Sequence, residues 1–103
     1  MKLSCILILA ALVISFSSPA LAAAGAQVQI KDYKFQPAQV TIASGGTVTW
    51  TNMDSIVHDV KFKDAESPEM KKGEQYSKTF DKPGTYDYIC EIHPYMKGQV
   101  IVK

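Results

Sequence analysis

Arginine is absent from this chain, and cysteine and histidine are scarce, with two of each. Proteins that bind nucleic acid rely on clustered cationic side chains to neutralise phosphates. Here the cationic and acidic residues nearly cancel, for a formal charge of +1, and that class is set aside. Long hydrophobic runs are missing too. The stretch "CILILAALVISF", Cys5 to Phe16, has 12 residues, short of the roughly 20 that a membrane-spanning helix needs. It follows Lys2 and precedes "SSPALA", whose small residues Ala20 and Ala22 have the spacing a signal peptidase reads. Residues 1–22 are therefore expected to be a cleaved secretory signal. Residues 23–103 are expected to form one periplasmic domain, a monomer without a membrane anchor.

Cleavage would leave the mature chain with a single cysteine, Cys90, so no intramolecular disulfide is available to it. Exported domains of this size usually depend on disulfides, a metal or oligomerisation, because their cores are marginal. An unpaired thiol in an oxidising compartment also demands a reason. A metal site would supply one.

What the chain does have is alternation. Val28 and Ile30 alternate with polar residues, as do Val40 and Ile42, Val48 and Trp50 in "GTVTWTN", and the segments "VHDVKFK", "QYSKTF", "GTYDYIC" and "GQVIVK". Turn signals such as "SGG" and "KPGT" separate them. Period-two patterning over so many short segments predicts an all-β antiparallel sandwich or barrel. The stretch "DAESPEMKKG", 64–73, lacks the pattern and reads as the longest loop, with room for one helical turn. On a strand, His58 shares a face with Val60 and Phe62, and Cys90 shares one with Tyr86 and Tyr88. Both are thus expected to point inward. The tyrosines, Tyr33 among them, and Trp50 read as packing residues.

Near the C-terminus "CEIHPYM" places Cys90, His93 and Met96 within seven positions. Pro94 disfavours helix at His93, so the segment is predicted to be a loop at one end of the fold. A loop covers one side of an ion, and the remaining histidine, His58, has the parity to supply the other side. One thiolate, two imidazoles and a thioether are the ligand set of a blue-copper electron-transfer centre. Zinc accepts Cys and His, but its structural sites favour two or more cysteines and gain little from a thioether. A cysteine hydrolase would need a nucleophile at a helix N-terminus and a third orienting group, and methionine has no part in that chemistry.

The segments "TVTWTNMDSIVHDVKF" and "FDKPGTYDYICEIHPYMKGQVIVK" resemble the cupredoxins, the small type 1 copper proteins, and among them the amicyanins, which share the short Cys-x2-His-x2-Met loop. The resemblance implies a Greek-key β-sandwich of seven to eight strands. It implies one copper ion held by His58, Cys90 and His93, with Met96 axial. It also implies single-electron transfer through the His93 ring edge, set in an apolar patch of Ile56, Val57, Met70, Pro94 and Tyr95. An amine dehydrogenase as donor and a c-type cytochrome as acceptor are the partners it suggests. Two places depart from the family pattern: Asp59 stands where Asn usually follows the first His ligand, and Glu91-Ile92 stands where Pro commonly precedes the second. Two extra carboxylates are expected to lower the reduction potential. The competing reading is a copper carrier or buffer that uses the same ligands without electron traffic.

Overall fold

The computed structural model describes residues 23–103. The expected signal segment, with Cys5, lies outside the described residues. Seven strands follow in order: β1 (Ala23–Lys31), β2 (Lys34–Gln36), β3 (Gln39–Asn52), β4 (Lys61–Phe62), β5 (Gln75–Phe80), β6 (Gly84–Ile89) and β7 (Lys97–Val102). No helix among the described residues is long and apolar enough to cross a membrane.

β3 organises the sandwich. Its first part, Gln39–Ile42, runs parallel to β7, which continues through β6 to β4. Its second part runs parallel to β1 from Thr47 and antiparallel to β5 from Gly46. The two expected strands around Val40 and Val48 are thus one strand bent at "SGG". Gly45 has φ +88°, a backbone region that suits glycine, and a Cβ on Gly46 would collide with the Ala24 carbonyl. The pairings β1–β3 and β3–β7 are parallel and need crossover connections, so the expected antiparallel arrangement is in fact mixed.

Alternation directs the core as expected. Val28, Ile30, Ile42, Val48, Trp50 and Val100 are buried between the two layers. An aromatic cluster fills one half, with Trp50 edge-on to Tyr88 and Phe62, and Tyr88 edge-on to Phe35. Burying rings of this size contributes several kcal/mol each, about 3–5 when one is truncated to Ala.

Two expectations need correction. "VHDVKFK" is not a continuous strand, because only Lys61–Phe62 pair with β6. His58, Asp59 and Val60 are all buried in succession, which breaks the alternation, and the His58 and Val60 backbone pairs instead with Met70 and Ser67. That segment, part of the expected loop, has no helical turn; it runs extended, with bridges His58–Met70 and Lys61–Glu66.

Candidate metal centre

Two backbone features bring the metal-capable side chains to one end of the sandwich. The loop after β6 is closed by its own backbone: His93 N–H donates to Cys90 O, Met96 N–H to His93 O, and Cys90 N–H to Met96 O. Cys90, fully buried, and Met96, nearly so, are thereby turned into the core, while His93 stays half-buried. On the other side, Asn52 at the end of β3 is fully buried. Its side-chain amide donates to Ile56 O and Met70 O, and its oxygen accepts from Asp54 N–H. That knot fixes the 52–58 loop and aims His58 at Cys90.

The Cys90 sulfur lies 3.7 Å from His58 Nδ1 and 3.7 Å from His93 Nδ1, and the three ligand atoms fall within 4.8 Å of one another. An ion bonded at about 2.0 Å to nitrogen and about 2.3 Å to sulfur, with the bonds about 120° apart, requires sulfur–nitrogen separations of about 3.7 Å. The donor set therefore fits a single trigonal metal ion. Burial pushes the Cys90 thiol pKa up, although backbone N–H groups of Asp59, His93 and Ile92 favour the thiolate. A cation is what would displace that proton.

Carboxylates surround the trio. Asp54 Oδ2 is 2.8 Å from His58 Nε2. Since a carboxylate only accepts, Nε2 carries the proton and Nδ1 is left for the cysteine side. Loss of hydration is the largest influence on Asp54 and opposes ionisation. Hydrogen bonds from Tyr33 N–H, His58 and Asp32 N–H together outweigh it and hold the carboxyl below its ordinary pKa. Asp59 Oδ1 accepts from Glu91 N–H at 2.7 Å, joining the two ligand loops. Glu91 is paired with Lys61 at 2.8 Å.

Sequence reasoning missed three residues here. Asp54 sits four positions before His58, a spacing with no meaning until the loop folds back. Asn52 looks like a turn residue at the end of a strand. Tyr33, read as packing, has its ring edge-on to both His58 and His93, with centroids 5.3 and 5.1 Å away. The expected apolar patch also changes membership. Met70 is only 2 % exposed, because its backbone pairs with His58 and its carbonyl accepts from Asn52. Tyr33, whose ring meets His93, is exposed, as are Ile92 and the expected Ile56 and Tyr95.

Fold and site together define a small β-sandwich with a one-thiolate, two-imidazole metal pocket at one end. The profile of the cupredoxin-like domain matches residues 4–102, and the chain belongs to that family. Amicyanin-alpha of Methylorubrum extorquens is 42 % identical, over 91 % of this chain and 95 % of its own length. Amicyanin of Paracoccus denitrificans is 39 % identical over 74 % of this chain, which spans 63 % of that relative. Plastocyanin of Scenedesmus fuscus is 38 % identical over 67 % of this chain and 86 % of its own length. Among solved structures, the reduced Cu(I) form of an amicyanin variant at pH 4 superposes with a TM-score of 0.75 at 36 % identity, covering 82 % of this chain and 87 % of the other. A purple cupredoxin from Nitrosopumilus maritimus gives 0.71 at 31 % identity, covering 76 % and 99 %.

Proposed function

We propose that the chain is a periplasmic type 1 copper protein that carries single electrons between redox proteins, and is not an enzyme. The observation that carries this reading is the meeting of one sulfur and two imidazole nitrogens, from segments 32 positions apart, at separations suited to one ion. His58, Cys90 and His93 are the proposed ligands, with Met96 as the fourth. Copper, when bound, supplies the one-electron Cu(II)/Cu(I) couple.

The chain's own residues supply the rest. Burial of Cys90, His58 and Met96 keeps water from the pocket. The closed 90–96 backbone and the Asn52 knot hold the ligands in place, so little has to move when the charge changes. His93 is the ligand with access to solvent, and the apolar surface of Ile56, Ile92 and Tyr95 lies on the flanking loops. A partner docking there would meet the His93 edge, in a contact small enough to release quickly. Similarity to amicyanins supports an amine dehydrogenase as donor and a c-type cytochrome as acceptor. The leader-like residues 1–22 support export, with 23–103 as the mature monomer.

Loading the protein with copper and recording its visible spectrum tests the reading. Oxidised protein is expected to be intensely coloured through the Cys90–copper bond, to bleach on reduction and to recover on reoxidation, and Cys90→Ser is expected to abolish the colour. A colourless protein that binds Cu(I) and does not cycle would instead be a copper carrier or buffer.

A further inference from the structure

Between β1 and β2 the chain turns on two residues, Asp32 and Tyr33, and both have positive φ, 55° and 59°. Two-residue hairpin turns of this hand favour Asn-Gly or Asp-Gly, since glycine takes positive φ without steric cost. Asp32 suits its place. Tyr33 does not, because a bulky side chain with positive φ is an outlier that its surroundings must enforce.

Asp54 enforces it. Its Oδ1 accepts from Asp32 N–H at 2.8 Å and its Oδ2 from Tyr33 N–H at 3.0 Å, tying the turn to a loop more than 20 positions away. The same Oδ2 accepts from His58 Nε2. The turn so held brings the Tyr33 ring edge-on to both imidazoles, which are themselves edge-on to each other at 5.0 Å. Three rings and one carboxylate form a closed unit.

We propose that Asp54 and Tyr33 act together as a positioning clamp. The carboxylate sets the His58 ring and the strained turn, and the turn sets the Tyr33 ring as a wall that keeps His93 from swinging away from Cys90. The clamp rests on the reading of His58 and His93 as ligands, and neither of its own residues is a ligand. A glycine at position 33 would ease the turn and remove the wall, which explains why a costly residue stands there.

The carboxylate's arithmetic makes the test sharp. Three N–H donors share two acceptor oxygens, so Asp54→Asn turns one oxygen into a donor whichever way the amide faces. Either the Asp32 amide loses its acceptor, or the Tyr33 amide and His58 Nε2 both do. In the metal-free protein, imidazole nitrogen shifts and amide hydrogen exchange read this directly. Wild type is expected to show His58 protonated at Nε2 and slow exchange at residues 32 and 33. Asp54→Asn is expected to quicken one of those amides at least about tenfold, with a mixed His58 tautomer if Tyr33 is the one released. Protected Val100 and Val102 amides would confirm that the fold survives.

Tyr33 is exposed enough for Tyr33→Leu to fold in any case. It is expected to keep the His58 tautomer, to average the His93 side-chain couplings over several rotamers, and to weaken copper binding by about 10–100-fold, as loss of outer support around a metal ligand does. Tyr33→Phe, which keeps the ring, is expected to behave like wild type. Unchanged tautomer and exchange in Asp54→Asn, or an equally ordered His93 in Tyr33→Leu, would overturn the clamp. Titrating wild type with copper keeps the two ideas apart: failure to bind removes the ligand reading, whereas the metal-free spectra judge the clamp alone.

Discussion

Asp59 follows a proposed metal ligand directly, yet it is almost wholly buried and serves as the acceptor that ties the two ligand loops together. Asparagine could make the same bond, because the bond uses only an acceptor oxygen. What the acid adds is negative charge beside the pocket. A buried charge favours the more positive state of a nearby ion, so Asp59→Asn is expected to raise the reduction potential, on the order of tens of millivolts. The loop bond should survive. Voltammetry of both proteins checks the shift, and an unchanged potential would mean that the aspartate's charge does not reach the pocket. Glu91, the other departure from the family pattern, is exposed and paired with Lys61, so Glu91→Gln is expected to have the smaller effect.

At the scale of elements, the site end depends on packing between strands. Tyr88 of β6 lies opposite Gly98 of β7, and a Cβ on Gly98 would overlap the tyrosine ring. Gly98→Ala is therefore expected to destabilise the protein by about 1–3 kcal/mol, read from the denaturant midpoint, with the ring forced off its site between Phe35 and Trp50. The 65–70 segment adds a pH dependence through Glu66, which lies with Asp59 and Glu91. Hydrogen bonds to Glu91 and then Asp59, followed by lost hydration, raise its carboxyl pKa to about 7. The folded state thus holds this proton more tightly than the unfolded chain does. The resulting stability is full below the unfolded pKa and disappears as pH rises through about 7. Glu91 is displaced the other way, first by its bond to Glu66 and then by Lys61, and its contribution is lost in acid. Glu66→Gln keeps a donor to the neighbouring carboxylates at every pH. The metal-free variant is expected to lose less stability than wild type between about pH 5 and pH 8 in thermal unfolding, by a small margin since the group is exposed. Strand faces could be read from alternation in β1, β3 and β6, and the loop that carries Cys90, His93 and Met96 from Pro94 and their spacing. The 57–63 segment could not, because His58, Asp59 and Val60 are buried in succession, which a loop packed on both sides allows and a half-exposed strand does not. Asp54, Asn52 and Tyr33 were equally hidden: their roles depend on which turn meets which loop, and no local periodicity encodes that meeting.

The molecule as a whole carries ten lysines and ten acidic residues over 23–103, with no arginine, so it presents little net field to an approaching partner. The His93 ring is flanked by the exposed Tyr33 and Tyr95 rings, the latter 67 % exposed, and by the exposed Ile92 next to it in the chain. Encounter should then be governed by desolvation of this surface, not by long-range steering, which salt would screen. Electron self-exchange between oxidised and reduced copies tests this without any knowledge of the natural partners. If two copies meet through these surfaces, the rate measured by NMR line broadening is expected to change by no more than about threefold between low salt and about 0.5 M. Tyr95→Lys and Ile92→Lys, which put like charges at that meeting, are each expected to slow exchange at least about tenfold at low salt, with partial recovery as salt is added. A steep salt dependence in the unaltered protein would instead show that charges elsewhere on the surface, such as Lys71 and Lys72, set the encounter, and that the apolar face around His93 is not where electrons cross.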